Sequence, residues 1–419
     1  MADALLADEH GSSLTRMRWL AAARTTLLVL TVLSITFPYV QIIPLGSYTQ
    51  PYAMVLGMVV LVLSRLSSVR RMPWPDAVAL ISFAGLGIVL FLLTCAPYRN
   101  VQEYKYLLNY VSPMILTMAC YTLLDWDRRL VGQLVSLSIL IWFWIGMTQA
   151  LLDASFMTAL LGEWGGLAKD IAASGRGAIG LAPEPTHFAF HMILLGGSAI
   201  LLRQQRWTIV LAALSVLFLA RSANGALVLT LALAIALTVY RPRLVVLGIT
   251  LLLGSIMLGV GNAILTMADG NRLITLLGRL LSNPTILITE DYSTNMRIGG
   301  AIAGMLDSIE SSFFPNGLAA QTWTDARPLL MERFSFLMDI SGTGVPSGYG
   351  VLLFQAGVLA FPFIRISTMR IAMTKADPVA RLFIFAVPVV FLFQYYISAP
   401  QFALAYAGAI YLWQRDAKA

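Results

Sequence analysis

The stretch RGAIGLAPEPTHFAFH, residues 176 to 191, gathers Arg176, Glu184, His187 and His191 at the mouth of a hydrophobic run. Pro183 and Pro185 bracket Glu184 and fix the chain as it enters a helix, while Gly175, Gly177 and Gly180 permit close backbone approach. A helix that begins near Pro185 places Glu184, His187 and His191 at i, i+3 and i+7, on one face. Several chemistries suit that set. A carboxylate next to a hydroxyl can take its proton as a general base, with Glu184 the first choice and His187 the second. Two histidines four apart plus a carboxylate could also hold a metal, but the chain has only 3 histidines and shows no third firm ligand, so no metal is expected. The structural alternative is a helix cap beside satisfied interfacial histidines.

Cations form the second group. Arg221 ends an apolar run in FLARSANGALV, and Arg297 opens the segment NMRIGGAIAGMLDSI. With Arg176 they are candidates for an anion site, Lys105 and Arg333 being supplementary. A guanidinium stays charged and grips phosphate through two parallel hydrogen bonds. Each of these side chains could equally be solvated or snorkel to an interface.

The elements that must position these groups are apolar helices. With 58% hydrophobic and 12% charged residues, the chain of 419 has too little polar surface to cover itself in water. We therefore expect an all-α polytopic membrane protein, a single integral membrane domain over 1–419. The net charge of +7 then reflects Lys and Arg at loop ends, and no nucleic-acid partner is expected. Apolar runs predict about twelve transmembrane helices of roughly 17 to 25 residues. They are read at 26–44, 50–66, 76–96, 105–124, 130–151, 184–202, 207–221, 224–240, 243–266, 347–364, 380–397 and 400–414. Starting the first span from the cytoplasm puts Arg70 and Arg71, Arg128 and Arg129, Arg203 and Arg206, Arg241 and Arg243, and Arg365 and Arg370 inside, with both termini. Only Arg99, Lys105 and Arg221 remain in short outer loops, as the positive-inside rule requires. Arg16 to Arg24 lead into a first span without a cleavage pattern, which is expected to stay. Cys95 and Cys120 fall near opposite ends of neighbouring spans, too far apart to bond.

Two long outer segments are expected, 152–183 and 267–346, and segments of such length carry function or their own helices. NRLITLLGRLLSNP reads as an amphipathic helix on the outer membrane surface. The segment from Asn295 to Leu318 reads as a helix closed by a Pro-Asn-Gly turn, and DARPLLMERFSFLMDI as another with Pro328 in its first turn.

RGAIGLAPEPTHFAF resembles the Arg-x-x-Gly-Leu-x-x-Glu-Pro-Ser/Thr-x-x-Ala pattern of Wzy-type O-antigen and exopolysaccharide polymerases, which share a superfamily with O-antigen ligases. FLARSANGALV is similar to that superfamily's Ser/Arg-Ser-x-x-Gly segment, and NMRIGGAIAGMLDSI with FPNGL looks like its outer-loop arginine helix and Pro-x-Gly turn. The resemblance covers about 160 to 360. It implies a glycosyltransferase, without metal or cofactor, that polymerises undecaprenyl-diphosphate-linked oligosaccharides at the periplasmic face of the bacterial inner membrane. It also implies a chain-length-regulating co-polymerase and a flippase as partners. In that setting Arg176, Arg221 and Arg297, with Lys105 or Arg333, would stabilise the departing diphosphate. The ligase branch carries a histidine late in the large outer loop, where this chain reads SGTGVPSGYGVLLFQAG with Ser341 and Ser347, and no histidine follows His191. That departure favours a polymerase over a ligase. A flippase for the same lipid would line its midplane with ionisable groups, and here the mid-span regions are almost free of charge.

Overall fold

In a computed structural model of the chain, residues 21–43, 49–66, 69–95, 100–175, 177–244, 300–334, 347–374, 378–393 and 396–416 are described, with isolated positions between them. No strand occurs among the described residues. The helices are α1 (Ala21–Thr36), α2 (Tyr52–Leu63), α3 (Trp74–Thr94), α4 (Val101–Leu151), α5 (Gly165–Ala173), α6 (Pro185–Leu201), α7 (Arg206–Leu214), α8 (Ala223–Tyr240), α9 (Gly300–Glu310), α10 (Ala320–Arg333), α11 (Gly348–Ala356), α12 (Phe361–Ala372), α13 (Pro378–Val389) and α14 (Pro400–Asp416). By length and composition, four stretches could cross a membrane: Trp74–Thr94, Val101–Leu151, Ala223–Tyr240 and Gly348–Ala372. Shorter apolar helices include α1, α2 and α6.

The centre of the bundle is α6 and α14. Every residue of α6 from Phe188 to Ala199 is buried, as is every residue of α14 from Pro400 to Ile410. A helix apolar on all sides needs neighbours on all sides. Helix α14 packs against α4 and α6, α13 against α6 and α8, and α3 against α4 and α12.

Helix α4 is two arms rather than one rod. Asp127 leaves the helical region at φ −156°, ψ 88°, and its Oδ1 accepts from Leu130 N at 2.9 Å, capping the second arm. The flanking contacts show that the chain reverses there. Lys105 and Asn109 of the first arm line a cavity with Glu184 at the start of α6, and Gln149 of the second arm bonds Gly180 close by. Between them, Arg128 donates to Leu202 O at the far end of α6. Helix α6 has 17 residues, so these ends lie about 25 Å apart.

The far end of the bundle is rich in arginine. Arg71 pairs with Asp125 at 2.7 Å, Arg203 pairs with Asp416 at 2.9 Å, and Arg24 lies over the Trp126 ring at 4.6 Å. Among the described residues, its most buried ion pair joins α3 to α12. Asp76 is fully buried in the first turn of α3 and accepts from Arg370 Nε at 3.1 Å, Arg370 Nη2 at 2.6 Å and the Tyr406 hydroxyl at 2.9 Å. Trp413 then covers the guanidinium at 4.0 Å.

Several boundaries differ from the sequence expectation. The run expected to end at 364 continues through a 3₁₀ turn, Gly357–Ala360, to Ala372, because a long arginine side chain can reach the bundle end without stopping the helix. Pro328 lies in the interior of α10, not its first turn, since the helix already begins at Ala320. Helix α9 ends at Glu310, and Asn316 and Gly317 then dock on the bundle: Leu318 N donates to Thr94 Oγ1 at 2.9 Å, and Gly317 N to Gln355 O at 3.0 Å. Asn316 also donates to Asp307 at 2.8 Å, whose carboxyl burial pushes above the usual carboxylate range. Cys95 and Cys120 are both buried and unbonded. Most of the expected amphipathic helix after Asn271 and most of the expected span 243–266 lie outside the described residues.

Candidate functional site

The site is built on the loop that precedes α6. Gly180 sits at φ +59°, and a Cβ there would come within 2.8 Å of Trp142 and 3.0 Å of Phe188, so only glycine fits. One buried amide holds this loop. Gln149 Oε1 accepts from Ile179 N at 3.1 Å and Gly180 N at 2.7 Å, while its Nε2 donates to Gly180 O at 2.8 Å and Phe156 O at 2.9 Å. Three backbone groups buried away from water and one part-buried carbonyl thereby find partners on one side chain, an arrangement that costs heavily to lose. On the other side Ala178 N donates to Leu219 O at 2.8 Å, tying the loop to the π-helical turn Ser215–Leu219 that follows α7.

The loop delivers Glu184 to the N-cap position of α6, with Pro185 at the first helical position. Its backbone is extended at φ −147°, ψ 156°, and its side chain makes no capping hydrogen bond. The carboxylate is therefore not the helix cap that the sequence alone allowed. Instead Glu184 and His187 line a cavity of about 410 Å³ together with Lys105, Tyr106, Asn109 and Tyr396. The rest of its wall includes Gln102, Ser112 and Ser398, and Ser398 Oγ donates to Asn109 Oδ1 at 2.7 Å. One carboxylate, one imidazole and one ammonium thus share the cavity with amides, hydroxyls and phenols and with apolar side chains that include Met54, Leu108 and Leu116. Such a mixed wall suits a ligand that carries hydroxyl groups beside an apolar part. Glu184 can remove a proton there, His187 can hold one, and Lys105 can bind negative charge.

His191 plays a different part. It is fully buried, its ring lies 4.2 Å from that of Trp142, and Gln401 Nε2 stands 2.9 Å from its Nδ1. Tyr39 stands edge-on to both imidazoles, 6.2 Å from His187 and 6.0 Å from His191. His191 thus supports the wall behind His187. Among the described residues no group of three His, Cys, Asp or Glu could hold a metal ion.

The cations do not all converge. Lys105 is in the cavity. Arg221 is exposed, in the left-handed region at φ 47°, between the π-helical turn and α8. Its neighbour Ser222 donates to Thr186 Oγ1 at 3.2 Å, and this fixes Arg221 next to the first turn of α6 but outside the cavity lining. Arg333 is bound elsewhere: it is exposed and pairs with Glu310 at 2.6 Å, joining α10 to α9. Arg176 and Arg297 lie outside the described residues. Gly177, the chain neighbour of Arg176, packs against Ala220, the chain neighbour of Arg221.

Sequence reading missed Gln149, Tyr106, Asn109, Tyr396 and Ser398. A signal existed for two of them, Tyr106 and Asn109: Asn109 lies four residues after the candidate Lys105 and Tyr106 four after Gln102, on one face of α4. Tyr396 and Ser398 meet that face only through the tertiary fold. No family model matches the chain, and no curated protein or solved structure is significantly similar to it.

Proposed function

We propose that the chain is a polysaccharide polymerase, joining undecaprenyl-diphosphate-linked oligosaccharide repeat units into O-antigen, capsule or exopolysaccharide. The observation that carries this reading is the meeting of Glu184, His187 and Lys105 in one cavity at one end of a bundle whose centre is largely apolar. A prenyl tail belongs in lipid, a diphosphate at the interface and a sugar in water. Polar chemistry at one lip of an apolar bundle is where such a substrate would react.

In the reaction, Glu184 takes the proton of an acceptor sugar hydroxyl and the oxygen attacks the anomeric carbon of the donor glycan. The bond from that carbon to the prenyl diphosphate breaks, and the diphosphate leaves with the electron pair. Cationic side chains stabilise the charge that develops on it. Lys105 acts from within the cavity and Arg221 from beside it, with Arg176 and Arg297 joining them from the outer segments. His187 is the alternative base. Arg333, held by Glu310, contributes only if that pair opens.

The reading places the chain in the inner membrane with about twelve spans, both termini cytoplasmic, and the segments 152–183 and 267–346 in the periplasm. It also assigns a flippase that supplies the lipid-linked unit and a co-polymerase that sets chain length. The test is product analysis in a deletion strain: the wild-type gene should restore a ladder of repeat units on a gel. Restoration of a single unit attached to the lipid core, with no ladder, would mark a ligase and sink the polymerase reading.

A further inference from the structure

A second and larger pocket, about 830 Å³, lies away from the first, between α12, the first turn of α3 and the last turns of α14. Helix α14 starts at the Glu184 cavity with Pro400 and reaches this pocket with Trp413 and Asp416, so the pocket occupies the arginine-rich end of the bundle. Its long wall is one face of α12: Phe361, Ile366, Met369 and Met373 recur at helical spacing and form an apolar groove.

Two arginines interrupt that apolar wall. Arg370 is already satisfied, its Nε and Nη2 fixed by Asp76 and its plane covered by Trp413. Arg365 is not. It is exposed to the groove, and among the described residues it has no ion pair or hydrogen bond. It stands five residues before Arg370, hence about 7 Å further along the helix axis, toward the middle of the bundle. A guanidinium at that depth on a membrane helix must reach to the headgroup level or find an anion. Asp416, the carboxylate in the lining, is already paired with Arg203. Nearby, Arg128, Arg203 and Arg415 crowd together: burial, then the charges of Arg415 and Arg203, lower the Arg128 pKa. This end therefore favours a ligand of net negative charge.

We infer that the groove binds one anionic glycerophospholipid, with its phosphate on the Arg365 guanidinium and an acyl chain running past Phe361 and Val358 toward the middle of the bundle. The guanidinium fork matches two phosphate oxygens, and the apolar wall matches a tail that free phosphate lacks. The surrounding arginines select phosphatidylglycerol-like headgroups over zwitterionic ones, whose ammonium they would repel. The inference needs only that the helices sit in a bilayer, and is independent of the reaction at the other end.

The test uses the full chain in phosphatidylcholine nanodiscs doped with phosphatidylglycerol, with retained lipid counted by native mass spectrometry after release from the disc. Wild-type protein should keep phosphatidylglycerol in preference to phosphatidylcholine. Arg365→Gln should lower that retention about tenfold or more, the worth of a charge-assisted contact. Ile366→Trp, which fills the groove and leaves the charge, should lower it as well, and it decides the matter if Arg365→Gln fails to fold. Arg241→Gln, at the end of α8 and away from the groove, should retain lipid as wild type does. Equal retention of the two lipids by wild type would overturn the proposal, as would normal retention by both groove variants. Displacement of the lipid by soluble glycerol phosphate at matched concentration would do so too, because it would show a bare phosphate site.

Discussion

Gln149 and Arg221 stand in two different relations to the candidate site. Gln149 touches no part of the cavity, yet its amide holds Ile179, Gly180 and Phe156 and so sets where the chain enters α6. Gln149→Leu leaves two N–H groups and two carbonyls to find other partners. The expected loss is about 2–4 kcal/mol, because a single unsatisfied buried group already costs about 1–3 kcal/mol. Thermal unfolding in detergent measures it, and an unchanged midpoint would show that the clamp holds nothing. Arg221 makes the opposite case: exposed, its backbone pinned by the Ser222–Thr186 contact, it tests anion binding directly. Arg221→Ala should abolish polymer while the protein stays in the membrane, and Arg221→Lys should rescue poorly because an ammonium lacks the fork. A full ladder from the Lys variant would rule out bidentate binding at this position.

At the scale of elements, stability at the far end depends on how α3, α12 and α14 share one carboxylate. Asp76→Ala leaves the largely enclosed Arg370 without its counter-ion and removes the partner of Tyr406. Breaking a buried pair from one side costs about 3–5 kcal/mol. Equilibrium unfolding should show that loss in Asp76→Ala and a much smaller one in Arg71→Ala, whose pair with Asp125 is exposed. Equal effects would mean that burial does not set the energetics here. Much at this scale is legible in the sequence. The reversal in α4 follows from DWDRR, a charged interruption between two apolar runs, in which Asp127 supplies a cap. The entry into α6 follows from Pro-Glu-Pro. The start of α10 is not legible, because AQTWT has no apolar period, and neither is the reach of α12 past Arg365. The Gln149 clamp is hidden for a different reason: a lone amide in an apolar span reveals a need for partners but not which backbone groups supply them.

For the whole molecule, the proposed function requires its two ends to face opposite sides of a membrane. Cysteine labelling can read that assignment with little background, since Cys95 and Cys120 are both buried. Thr324→Cys on the exposed face of α10 should react with a membrane-impermeant thiol reagent applied to spheroplasts. Arg241→Cys, at the opposite end of α8 from Ser222, should react only after permeabilisation. The reverse pattern would invert the topology and place the Glu184 cavity on the wrong side for a periplasmic reaction. The proposed function turns on chemistry, with Glu184 as the base of a glycan polymerase. Its most direct test is purified protein given the undecaprenyl-diphosphate-linked repeat unit alone, with chain lengthening and lipid binding both measured. Wild type should build a ladder; Glu184→Gln should bind the unit comparably and lengthen it about 10² to 10⁴ times more slowly, the usual worth of a general base. Normal lengthening by Glu184→Gln would contradict the assignment of the base, and a wild-type protein that binds the unit without ever lengthening it would contradict the polymerase itself.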